Sequence, residues 1–241
     1  QAKADAVGVY QATRDGWTGA GTKETELLGI LDRQSTKEQR QNLEKAYKDY
    51  AGETLRSRIN AELSGPQLDQ AKGLLDGDRA KARAAEIRHA MKGPTTDEDA
   101  VYNGLSNLTA AQRQRVIDKY QGMYGPKSSG SYKVPPSTSQ LAKDIKSDFS
   151  GSQEDRALAL LNGDQALADA AKAKYAMHGD GNPLTFWDTL GTDEKALNEA
   201  VATPGMKDAY DRQYGGKGSF DTDRDWELNR SDEATNKEIE E

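Results

Sequence analysis

Apolar residues recur along this chain at helical spacing. Leu27, Leu28 and Leu31 form one stripe, Leu43, Ala46 and Tyr47 a second, and Leu55, Ile59 and Leu63 a third. Gly, Pro and Thr separate the stripes. Almost no run alternates apolar and polar residues with period two, so strands are not expected. Ala, Leu, Lys, Glu and Gln recur, and these residues favour helix. The fold class expected is all-α, built from short amphipathic helices.

The pattern repeats. Residues 74–93, "LLDGDRAKARAAEIRHAMKG", and 160–179, "LLNGDQALADAAKAKYAMHG", share eleven of twenty positions at a spacing of 86. The same spacing relates "AELSG" (61–65) to "SDFSG" (147–151), and "YQGMYG" (120–125) matches "YDRQYG" (210–215). Three copies of one unit follow, at 1–75, 76–161 and 162–241, each of four or five short helices. Such copies bury a core by stacking. In copy two, Ala90 and Met91 end an Ala-rich helix that Gly93 and Pro94 stop. Thr95 or Thr96 is expected to cap the next helix, with Asp97, Glu98 and Asp99 at its positive end. Thr22 with Glu24, and Thr192 with Asp193 and Glu194, are expected to do the same in copies one and three. "PKSSGSYKVPPSTSQ" (126–140) and "DGNPLTF" (180–186) read as inserted loops, and the polar tail as a solvated or frayed helix.

Composition narrows the function. Only 34% of residues are hydrophobic, 30% are charged, and the formal net charge is −7. That balance lacks the basic footprint of a nucleic-acid binder. It is also repelled by an anionic membrane unless a cation mediates. Cysteine is absent, which excludes disulfides, thiolate metal sites and cysteine nucleophiles. No apolar run is long enough to span a bilayer. No Ser-His-Asp set or paired carboxylates stand out, so an enzyme is not expected.

The stretch "GWTGAGTKE" (16–24) is the first candidate for chemistry. It lacks the spacing of a phosphate-binding P-loop, and Glu24 stands where a dinucleotide fingerprint needs its third glycine. It follows a helix rather than a strand. A helix C-terminus offers orphan carbonyls and partial negative charge, and glycines let a following turn fold more carbonyls inward. A cation-binding loop and a plain turn both remain open from these residues alone.

The motifs taken together resemble the annexin family. They are "MKGPTTDEDAV" (91–101), "AQRQRVIDKYQGMYG" (111–125), "AELSG" (61–65), "SDFSG" (147–151) and "GTDEKAL" (191–197), in annexin order and spacing. Annexins usually carry four such repeats; three are found here. The resemblance implies an annexin-like helical array that binds calcium and, through it, acidic phospholipid. In copy one it implies calcium on the carbonyls of Trp17, Gly19 and Gly21 and on the carboxylate of Glu62. In copy three the corresponding residues are Trp187, Thr189, Gly191 and Glu227. Copy two departs from the pattern, because Pro94 and Thr95 stand in its loop and Asp148 replaces Glu. Calcium takes about six to eight hard oxygen ligands, so water or lipid phosphate would complete each site. Trp17 and Trp187, at equivalent loop positions, are expected to reach the headgroup region.

Plainer readings compete. Glu62 could pair with Arg56 or Arg58. His89 and His178 stand at helix ends without partners at metal spacing, and read as surface or cap residues. Tyr47, Tyr120 and Tyr210 recur at equivalent sites and read as core. The rival function is an annexin-like scaffold, independent of calcium and membranes, within a larger protein.

Overall fold

A computed structural model describes residues 1–14, 23–93, 95–126, 133–179, 193–216 and 219–228. Among these the regular structure is helical and no strand occurs, as expected. The helices are α1 (Ala2–Arg14), α2 (Glu24–Asp32), α3 (Lys37–Ala51), α4 (Leu55–Glu62), α5 (Gly65–Asp76), α6 (Arg79–Lys92), α7 (Glu98–Leu105), α8 (Ala110–Tyr124), α9 (Gln140–Asp148), α10 (Gly151–Asn162), α11 (Gln165–His178), α12 (Glu194–Val201) and α13 (Met206–Tyr214). A further helix, α14, spans 220–228.

The chain forms two compact units, Gln1–Ala100 with Gln114–Ser131, and Val101–Arg113 with Tyr132–Glu241. In the first, α1 packs on α2 and α3, and α5 on α6. Its core is Val9, Leu27, Leu31, Leu43, Tyr47, Leu55, Ile59 and their neighbours. In the second, α11 packs on α10, α12 and α13. Ala170, Ala173, Met177, Leu197, Tyr210 and Phe220 form a core there. The apolar stripes read from the sequence are therefore the buried faces. Tyr47, Tyr120 and Tyr210 are each fully buried.

Local signals explain the repeated motifs. Thr36 and Gln39 form a reciprocal capping box at the start of α3. Thr109 and Gln112 do the same at α8, with bonds of 2.9 and 3.2 Å. The arginine after each glutamine turns back to the chain before its helix. Arg40 donates to the Gln34 and Ser35 carbonyls at 3.2 and 3.1 Å. Arg113 donates to the Leu108 carbonyl at 2.9 Å. Each guanidinium lies against the glycine that ends a helix, Arg40 on Gly77 and Arg113 on Gly163. These glycines have φ of 72° and 82°, where a side chain would be strained and would also meet the guanidinium. The second tyrosine of each "Y…YG" motif also has a fixed role. Tyr124 donates to Asp69 at 3.0 Å in the first unit, and Tyr214 to Asp155 at 2.7 Å in the second.

Two expectations change. The helix caps stand later than Thr95, Thr96 or Thr192. Asp97 accepts from the Ala100 N–H at 3.0 Å, and Asp193 from that of Ala196 at 2.9 Å. An aspartate carboxylate at this position reaches the orphan amides and complements the helix dipole more strongly than a threonine hydroxyl one or two residues earlier. The 126–140 insert is also shorter than its composition suggested. Pro136–Thr138 form a 3₁₀ turn, Ser139 caps α9 by accepting from the Ala142 N–H at 3.1 Å, and Gln140 is already helical. Loop 180–186 and the tail from 229 lie outside the described residues.

Candidate metal and membrane site

Each candidate acid stands at the end of a corresponding helix: Glu62 closes α4, Asp148 closes α9, and Glu227 is next to last in α14. In copy one, Thr54 caps α4, and Leu55 and Ile59 face the core. Glu62 then falls at the outer end, its side chain 30% exposed. Arg58, one turn back, connects it to α1. Arg58 Nη2 lies 3.4 Å from Glu62 Oε1 and donates to the Thr13 carbonyl at 3.1 Å. Thr13 is in the last turn of α1, immediately before the glycine-rich stretch. The acid and the entry to that stretch are thus joined through one guanidinium. Of the two arginines weighed as partners, Arg58 is the one beside Glu62. Arg56 instead binds Glu44 and Asp76, each at 2.8 Å. Trp17, Gly19 and Gly21 lie outside the described residues.

In copy two, the turn after α6 folds over that helix. The Asp97 N–H donates to the Ala90 carbonyl at 3.0 Å. In copy three, the Asp193 N–H donates to the Ala176 carbonyl at 3.0 Å in the same way. The equivalent residue in copy one is Lys23, a donor only, which cannot supply the carboxylate cap.

Copy three contains a partner that the sequence did not disclose. His178 Nδ1 lies 2.9 Å from Glu227 Oε1, whose side chain is 12% exposed. His178 is therefore not a surface or cap residue but half-buried and paired. Burial first, then the charge of Lys174, lowers its pKa; Glu227 and Asp223 oppose this. In the neutral ring the Nδ1–H donates to Glu227, and Nε2 is buried with no partner among the described residues. Asp223 accepts from the Tyr210 hydroxyl at 2.8 Å. Burial, then Asp223, pushes that phenol's pKa well up. Trp187, Thr189 and Gly191 lie outside the described residues, whereas Trp226, beside Glu227, is 57% exposed. His89 is exposed, with Nε2 3.4 Å from Gln67 Nε2.

Among the described residues no group of three or more His, Asp or Glu side chains forms a metal cage. The donors they do supply beside the loops are hard oxygens on single carboxylates. Carboxylate oxygens are the hard ligands that calcium takes.

Residues 82–128, covering α6, the following turn, α7 and α8, match the family model described as Annexin. The chain is 33% identical to annexin A5 of Rattus norvegicus over 145 residues, 58% of this chain and 38% of that protein. It is 29% identical to annexin A13 of Mus musculus over 211 residues, 84% of this chain and 58% of that protein. The family model and these relatives together support an annexin-family protein. The chain spans about two to three fifths of the length of these annexin relatives. Among solved structures, annexin III is similar at 24% identity and a TM-score of 0.36, over 89% of this chain and 63% of that one. Calcium-bound alpha-14 giardin is similar at 17% identity and a TM-score of 0.31, over 96% and 97%. Members of the annexin family bind calcium and phospholipid, and are generally non-enzymatic. No described helix is long and apolar enough to cross a membrane.

Proposed function

We propose that this chain is an array of three annexin repeats, at 1–75, 76–161 and 162–241, that binds calcium and through it an acidic phospholipid surface. Copy one is the principal site. Calcium sits between the carbonyls of Trp17, Gly19 and Gly21 and the Glu62 carboxylate. The observation that carries this reading is the Arg58 link, which keeps Glu62 beside the last turn of α1, where the loop begins. Glu62 and the last turn of α1 are far apart in sequence and joined through Arg58 in the fold, which supports a cation shared with the loop that follows α1.

The chemistry follows from charge. A protein of net charge −7 and an anionic membrane repel each other. A calcium ion held by one carboxylate and neutral carbonyls keeps residual positive charge and open positions, which lipid phosphate oxygens fill. Trp17 and Trp187 flank these positions as interfacial contacts. Copy three supplies Trp187, Thr189, Gly191 and Glu227. Its acid is held by His178 at 2.9 Å and is 12% exposed, more tightly engaged than Glu62, which is 30% exposed and 3.4 Å from Arg58, so its contribution is weaker. That pairing also favours the second reading for copy three alone, an interaction surface that needs no calcium.

Calcium titration by calorimetry tests the principal site. Glu62→Gln keeps the side chain's shape and removes its charge. It should weaken the tightest binding by about tenfold or more, while Glu227→Gln should change it little. Unchanged binding in Glu62→Gln removes Glu62 from the site.

A further inference from the structure

Arg58 holds an unusual position for a structural arginine. Its Nη2 is shared between the Thr13 carbonyl at 3.1 Å and Glu62 Oε1 at 3.4 Å. Its Nη1 reaches Glu53 Oε1 only at 3.9 Å. Its Nε is buried with no hydrogen-bond partner among the described residues. Tight charge-assisted bonds run at about 2.7–2.9 Å, so both carboxylate contacts are loose. Arg56, two residues earlier on the same helix, shows the contrast with two bonds of 2.8 Å. The Arg58 guanidinium is thus cationic, weakly held, and lodged between a carboxylate and a helix C-terminal carbonyl. Those are the two kinds of oxygen that a calcium ion would need there. The spacing that pairs Glu62 with Asp148 and Glu227 places Asp144 and Asp223 at the position of Arg58 in copies two and three. Copy one therefore carries a positive charge where the other copies carry a negative one.

We infer that Arg58 is an internal counter-cation that competes with calcium for Glu62 and sets the affinity of copy one. The inference rests on the reading of Glu62 as a calcium ligand. Without calcium, Arg58 neutralises Glu62 and keeps α4 against α1. Calcium engages Glu62 by displacing Nη2 from the carboxylate, and Arg58 keeps its bond to Thr13 or turns to Glu53. The arrangement raises the calcium concentration at which the site fills, because binding must first break an existing pair and then tolerate a nearby like charge. It also makes Glu62 selective. A monovalent cation gains too little from one carboxylate to displace the guanidinium, whereas a divalent ion gains more.

The test uses the full chain and calcium itself. Arg58→Gln retains an amide that can donate to the Thr13 carbonyl, and it removes the charge. It should bind calcium about tenfold more tightly than wild type by calorimetry, as expected when a unit like charge a few ångströms away is removed. Its melting temperature without calcium should fall. A purely structural Arg58 would lower both stability and affinity. A second measurement needs no variant of Arg58. On calcium addition to wild type, the Arg58 Nε–Hε resonance should shift, and in Glu62→Gln it should not. Calcium binding through Glu62 with that resonance unmoved, or with Arg58→Gln binding no tighter, overturns the inference alone. Absence of calcium heat in both wild type and Arg58→Gln overturns the site and the inference together.

Discussion

His178 Nδ1 and Glu227 Oε1 stand 2.9 Å apart, between the last residue of α11 and the penultimate residue of α14. Lys174 and Asp223 add their charges to the pair. Burial and Lys174 hold His178 below its ordinary pKa of 6.5. The unfolded chain therefore takes up a proton near that value while the folded chain does not. Proton uptake then favours the unfolded state, and stability falls as pH drops from about 6.5 toward the lower folded value. Thermal unfolding followed from about pH 7.5 to about 5 should show this loss, and His178→Gln should flatten it. A midpoint that rises on acidification through this window contradicts the assignment.

The helix caps give a second prediction. Asp97→Ala removes the bond to the Ala100 N–H and should cost about 1 kcal/mol in urea unfolding. Thr95→Ala, at an exposed residue, should change stability by less than about 0.5 kcal/mol. Equal losses would return the cap to the threonine.

The fold was legible because it rests on local and periodic signals. The stripes of Leu27–Leu31 and Leu43–Tyr47 are the buried faces, and the spacing of 86 recovers corresponding helices. What the sequence hid depends on contacts between distant residues. Nothing at His178 announces Glu227, forty-nine positions later. Nothing at Arg58 announces the Thr13 carbonyl, because a backbone acceptor has no sequence signature. A choice among Thr95, Thr96 and Asp97 as cap turns on one residue of backbone path, which composition does not resolve. Arg40 and Arg113 each follow a glutamine in the sequence, and nothing there announces their contact with the helix-ending glycines.

That contact is testable. Gly163 combines φ of 82° with the Arg113 guanidinium where a Cβ would stand. Gly163→Ala should destabilise by about 1 kcal/mol or more. Gly122→Ala, in the last turn of α8 with open space around it, should be neutral or stabilising. Urea unfolding of both variants compares them directly, and a neutral Gly163→Ala would remove the steric argument.

Tryptophan emission tests the proposed interfacial roles of Trp17 and Trp187 against the exposed Trp226. Calcium with phosphatidylserine vesicles should shift the emission of wild type to shorter wavelength. Trp226→Phe should keep that shift, and Trp17→Phe should lose most of it. A shift that survives Trp17→Phe undiminished moves the contact away from copy one.

The central claim is that calcium bridges this acidic chain to an acidic bilayer through Glu62. Sedimentation with phosphatidylserine vesicles, in calcium and then in excess chelator, tests it most directly. The expected result is protein in the pellet with calcium, release by chelator, and a higher calcium requirement for Glu62→Gln. Protein that stays in the supernatant with calcium, or pellets equally with chelator, contradicts it.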